Sequence, residues 1–174
     1  MSDNNGTKTL SREEALKHLR GLVKEIDIAM LTTVDEDGTL RSRPMSNNGD
    51  IEFDGDLWFF TYGSSHKVQE AQKEPQVNVA FSQPGKQNYV SMSGRATLVR
   101  DKAKIEELWK PALKAWFPKG TDEPDIALLK VTVEKAEYWD APSSLVSHVY
   151  SLVKAAVTGE PASPGDNQKI DLKG

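Results

Sequence analysis

A mainly β, α+β fold is predicted: a six-stranded antiparallel β-barrel, closed or partly split, with helices at its periphery. Three observations predict it. About six extended apolar or alternating runs lie between residues 28 and 139, most of them joined by short turns rich in Asp, Gly and Pro. Helical periodicity is confined to the chain ends and to two crossings between runs. Strict alternation of strand and helix, which marks a doubly wound parallel sheet, is absent, and barrel closure is one way for an antiparallel sheet to protect its edges.

The elements follow in order. Ser11 with Glu14 three residues on reads as a capping box, and Ala15, Leu16, Leu19, Leu22, Val23 and Ile26 recur at helical spacing behind it. Ile28–Val34 and Thr39–Met45 flank Asp35-Glu36-Asp37-Gly38, a hairpin pattern. Asp54-Gly55 turns the chain into a buried strand over 57–61, and Ser64 or Ser65 caps a helix that Pro75 terminates. Val77, Val79 and Phe81 alternate with polar residues, and Tyr89–Val99 places Val90, Met92, Gly94, Ala96 and Leu98 on one face. Asp101 caps a helix through Leu108, Trp109 and Leu113, with Pro111 expected to kink it and Pro118-Lys119-Gly120 to end it. A last strand covers 126–133 with an extension over 136–139, and Leu145 to Ala156 mark a C-terminal helix closing at Gly159.

The chain of 174 residues suits one domain that buries roughly two-thirds of its unfolded surface. The expected division is a flexible N-terminus over 1–9, the barrel domain over 10–158 and a disordered polar tail over 159–174. A net charge of −4 argues against a nucleic-acid binder, whose affinity rests on a basic face. Without cysteine there are no disulfides, thiolate metal sites or cysteine nucleophiles. Met1–Thr9 lacks the apolar core of a signal peptide, and no apolar run approaches the ~20 residues of a membrane span. A cytoplasmic protein without membrane attachment is expected.

Two segments carry a signal for anion binding. Arg41 and Arg43 flank Ser42 in a strand, so the period of two sets both guanidinium groups on one face, where they are either solvated or hold an anion. Ser64-Ser65-His66-Lys67 opens a helix, whose free N–H groups suit phosphate; Lys67 in that first turn runs against the usual charge preference. An exposed strand and an ordinary N-cap are the plain alternatives. His18 falls on the polar side of the first helix, and His148 in the last one. No His-x-x-x-His pattern or carboxylate cluster is present, so no metal site is expected. G-x-S-x-G, P-loop and G-x-G-x-x-G motifs are also missing.

Taken together, A-M-L-T-T at 29–33, R-S-R-P-M at 41–45, W-F-F-T at 58–61, S-x-K at 65–67, V-S-M-S-G-R-A at 90–96, W-F-P at 116–118 and E-Y-W-D at 137–140 resemble the pyridoxamine 5′-phosphate oxidase-like FMN-binding split barrels. The general stress protein branch is the nearest in pattern. The resemblance spans roughly residues 10 to 158 and implies a homodimer with FMN in clefts between subunits. By motif, Arg41, Ser42, Arg43, Pro44, Met45 and Ser46 would line the flavin and its ribityl chain. Phe60 and Thr61 would lie against the ring, and His66 and Lys67, with Ser65 nearby, would bind the phosphate. Tyr89 stands where the oxidases carry a glutamine that touches FMN, and Trp139 matches their late tryptophan near the ring. A partner segment around 109–117 would complete the cleft.

Two departures argue against pyridoxamine phosphate oxidation itself. The chain runs Asp140-Ala141-Pro142 into an extra helix where the oxidases carry a basic segment that grips substrate phosphate, and Tyr89 replaces the glutamine. The function implied is an FMN-dependent oxidoreductase with donor and substrate unassigned, linked to stress. The alternative is a non-catalytic FMN-binding sensor or storage module. Within the same fold, haem or a deazaflavin would be the other cofactors, with His148 the axial ligand for haem.

Overall fold

The computed structural model describes residues 11–47, 53–140 and 166–173. Helix α1 (Arg12–Val23) is fixed at its start by reciprocal bonds: Glu14 N–H donates to Ser11 Oγ at 3.2 Å and Ser11 N–H to Glu14 Oε2 at 2.9 Å. Such a cap contributes about 1 kcal/mol. Ala15, Leu16, Leu19 and Val23 form the buried stripe of α1.

The strands are β1 (Ile28–Val34), β2 (Leu40–Ser46), β3 (Asp56–Tyr62), β4 (Gln76–Gln83), β5 (Asn88–Val99), β6 (Ile126–Asp140) and β7 (Asp166–Asp171), with α2 (His66–Lys73) between β3 and β4 and α3 (Lys102–Leu108) between β5 and β6. Every pairing is antiparallel, in the order β2-β1-β4-β5-β6-β3, and β7 joins β6. The end strands β2 and β3 do not pair with each other. Met45 of β2 and Leu57 and Phe59 of β3 nevertheless enter one core with Leu19, Leu31, Phe81, Met92 and Leu129. The sheet is therefore curled until its ends approach: a barrel split between β2 and β3.

β6 serves two neighbours along one edge, β3 along its first half and β7 along its second. The bend between them is a bulge, with Ser93 opposite Lys135 and Gly94 opposite Val133, leaving Glu134 as the extra residue. Gly94 is required there: a Cβ on it would sit 2.2 Å from the Thr132 carbonyl oxygen. A second buried cluster covers the outer side of β3 and β6, where Phe60, Ile126 and Leu128 meet Ile105, Leu108, Leu113 and Phe117.

The structure corrects three expectations. Pro111 does not kink α3 but follows its end: Lys110, the residue before it, is extended at φ −131°, ψ 142°, and a separate 3-10 turn runs Pro111–Ala115. Steric exclusion of the helical region before proline accounts for this. The tail expected to be disordered from 159 contains β7, a seventh strand anchored by the buried Leu172. His18 is not a purely surface group, since its ring packs on Tyr138 of β6 at 4.6 Å. The helix expected over 145–156, and His148 in it, lie outside the described residues. No helix among the described residues is long and apolar enough to cross a membrane.

Candidate functional site

The split between β2 and β3 holds a cleft of about 300 Å³. Ile28 of β1 with Pro44 and Ser46 of β2 form one side; Phe60 and Tyr62 of β3, with Leu113, Trp116 and Phe117, form the other. Alternation along β2 explains the first side, because Met45 between Pro44 and Ser46 turns inward and is buried. The second side is braced by ring contacts, Phe60 with Trp109 at 5.8 Å and Tyr62 with Phe117 at 4.9 Å, and by Tyr62 O–H donating to the Trp116 carbonyl at 2.9 Å. Trp116 itself is 67% exposed at this wall. An indole left in water beside an apolar cleft is a ready surface for a flat ligand.

Lys67, in the first turn of α2, is the charged residue of the lining. It is half-buried, and its pKa lies below the ordinary lysine value, chiefly because burial disfavours the ammonium, then because of the positive charge of Arg43, with Glu70 opposing. Thr61 and Ser65 share a hydroxyl hydrogen bond of 3.2 Å that ties β3 to the start of α2. Ser64 donates through N–H and Oγ to Asp125 at 3.0 and 2.6 Å, fixing the turn between them.

Arg41 and Arg43 both turn toward α2, as the period of two requires, and meet a carboxylate there. Glu70 is 3% exposed. Its Oε2 accepts from Arg43 Nη2 at 2.7 Å and from Thr33 Oγ1, and its Oε1 lies 3.0 Å from His66 Nε2 and 3.6 Å from Arg41 Nη1. Asp35 faces the same group, 3.2 Å from Arg41 and 3.3 Å from His66. Its pKa is held below the usual aspartate value, first by the Glu36 backbone N–H and then by His66 and Arg41.

The structure thus gathers Arg41, Arg43, His66 and Lys67, and places Pro44, Met45, Ser46, Phe60 and Thr61 in the cleft. Ser65 stands beside Thr61, and exposed Ser42 bonds Thr32 Oγ1 on the outer face at 2.7 Å. Arg43 is not presented as freely as the sequence suggested: its donors also reach Thr33 Oγ1 and, at 3.4 Å, the Leu31 carbonyl. Tyr89 and Trp139 pair with each other across β5 and β6 and do not line the cleft of their own chain. The segment around 109–117, expected to complete the cleft from a partner, supplies Leu113, Trp116 and Phe117 to the cleft of its own chain.

Glu70, Thr33 and Asp35 were not singled out by sequence. The available signal was Glu70 at i+4 from His66, beside the apolar stripe of Val68 and Ala71. Asp35, His66 and Glu70 place three metal-type donor atoms within 4.8 Å of one another, a cluster that sequence spacing did not reveal. Arg41 and Arg43 already balance those carboxylates, which opposes a cation there.

The chain matches the family described as pyridoxamine 5′-phosphate oxidase like over residues 14–163. It is 26% identical over 167 residues to protein bli-3 of Neurospora crassa, covering 91% of this chain and 80% of that one. Among solved structures it resembles the general stress FMN/FAD binding protein of Xanthomonas citri at 30% identity and a TM-score of 0.65, covering 76% of this chain and 93% of that chain. The general stress protein 26 of Jannaschia shares the fold at 24% identity and a TM-score of 0.71, over 90% of this chain and 98% of that one.

Proposed function

Because the chain belongs to the pyridoxamine 5′-phosphate oxidase-like family, we propose that it is a cytoplasmic FMN-binding flavoprotein acting as an oxidoreductase. The observation that carries this reading is the cleft in the barrel split, with apolar and aromatic walls and one desolvated lysine in its lining. These residues fit the group: the walls suit a flat ring, and a lysine kept from full hydration suits a phosphate. When bound, FMN supplies the redox chemistry, while the protein supplies position and electrostatics. Ile28, Pro44 and Phe60 exclude water from the ring, Thr61 and Ser46 offer hydroxyl groups to its polar atoms, and Lys67, Arg41 and His66 hold the phosphate.

The assembly proposed is a homodimer. Ile28, Met30, Tyr89 and Trp139 are large, exposed residues on the outer face of the sheet. Covering that face with a second copy would bury them and would bring Tyr89 and Trp139 to the cleft of the opposite subunit.

Titration with FMN, followed by gel filtration with light scattering, tests both parts. One flavin per chain should co-elute at twice the chain mass; flavin that never travels with the protein would sink the reading. Anaerobic reduction by NAD(P)H and a screen of oxidants then test turnover, and binding without turnover would restrict the role to sensing or storage. Trp116→Ala should weaken FMN binding by about 1 kcal/mol, roughly fivefold, and relieve part of the quenching of flavin fluorescence. Unchanged quenching would remove Trp116 from the ring's surroundings.

A further inference from the structure

We propose that Glu70 is a built-in counter-anion: it neutralises the basic cluster when no phosphate is bound, and it sets how tightly a phosphate is taken up. The proposal rests on the flavin reading only for the identity of the ligand. Its basis is the charge arrangement at the start of α2.

Three cationic side chains, Arg41, Arg43 and Lys67, are gathered with His66 around one carboxylate; Lys67, whose pKa is lowered chiefly by burial, also feels the positive charge of Arg43. Like charges at such range repel unless an anion lies among them. Asp35 faces Arg41 and His66 from the outer side, and Glu70 is the buried anion that also reaches Arg43. It is nine-tenths buried or more, reaches Arg43 at 2.7 Å, and draws Arg41 and His66 toward its other oxygen. That oxygen, Oε1, is buried and accepts no well-aligned hydrogen bond. Helix α2 carries this carboxylate on the side where Val68 and Ala71 are buried, a costly place for a charge that served only to solubilise the helix.

The two ends of the carboxylate have different roles. Oε2 locks Arg43 and Thr33 into the barrel end, so Arg43 acts as a fixed partner of Glu70 and not as a ligand to phosphate. Oε1 holds Arg41 and His66 loosely, and both are half or more exposed. An incoming phosphate would share these two side chains with Glu70 and would gain Lys67. Its negative charge also meets that of Glu70, so the carboxylate moderates affinity while keeping the empty site stable.

The test uses inorganic phosphate as the probe, in the full-length protein at fixed pH, by calorimetry. Glu70→Gln keeps the shape and removes the charge. It should bind phosphate on the order of tenfold more tightly, with a lower Tm in the absence of phosphate that added phosphate restores. A purely structural role would lower Tm without tightening binding. The double variant E70Q/R43M removes the buried pair together; its phosphate affinity should return to near that of the parent. It also guards against instability of the single variant.

Affinity that is unchanged or weaker in E70Q overturns the inference. So does a double variant that binds phosphate far less well than the parent, because Arg43 would then be gripping the anion directly. A parent that binds FMN while E70Q shows no tightening leaves the flavin reading standing and removes this one. A parent that takes up neither FMN nor phosphate removes both.

Discussion

Replacing Lys67 with alanine is expected to weaken FMN binding roughly thirtyfold or more, while riboflavin binding falls no more than a few-fold. Lys67 is the charged residue lining the cleft and is half-buried. A charge-assisted bond made in a partly desolvated site, when one partner is truncated, typically costs about 2–5 kcal/mol. Riboflavin has no phosphate, so the ratio of the two affinities isolates the lysine from any general loosening of the cleft. Equal losses for both ligands would show that Lys67 supports the wall and not the phosphate.

The same residue fixes the sign of a pH effect. Its folded pKa is below 10.5, so between the lowered value and the ordinary one the unfolded chain binds the extra proton. The ligand-free protein therefore gains stability as pH rises through that window. Phosphate binding has the opposite dependence, because it needs the ammonium. The preference for FMN over riboflavin should decay as pH climbs toward 10.5, and Lys67→Arg should carry it to higher pH. A preference flat across the alkaline range would exclude Lys67 as the phosphate's partner.

Gly94→Ala is expected to destabilise the barrel by about 3 kcal/mol or more. The added methyl would lie 2.2 Å from the Thr132 oxygen and 2.9 Å from the Val133 Cα, and both are backbone atoms that cannot rotate aside. For a chain of this length that is a fall in Tm of roughly 10 °C. Gly85→Ala is the control, since nothing lies within 4 Å of its new Cβ. Differential scanning calorimetry of both variants decides the matter; equal Tm values would mean that the bulge relaxes freely.

The sequence was most readable where local periodicity and burial coincide. Alternation in β4 and β5 and the Ser11–Glu14 box gave their elements directly, and the period of two correctly set Arg41 and Arg43 on one side. The barrel's split followed from motif resemblance as well as pattern. Glu70 was harder, because its meaning depends on Thr33 and Arg43, which reach it from strands distant along the chain. β7 escaped because only Ile170 and Leu172 alternate within a polar stretch, too short a signal to outweigh its composition. Tyr89 and Trp139 were assigned by resemblance alone, and in a single chain they belong to the outer face.

β7 also shapes how this chain can diversify. Asp140 and Asp166 are opposite one another at the far end of the β6–β7 ladder. The end of β6 and the start of β7 are therefore held side by side by the ladder itself. Since doubling the length of a flexible connection between two such fixed ends costs only about 0.6 kcal/mol, the staves of the barrel would tolerate a change in the number of residues joining β6 to β7 with little strain.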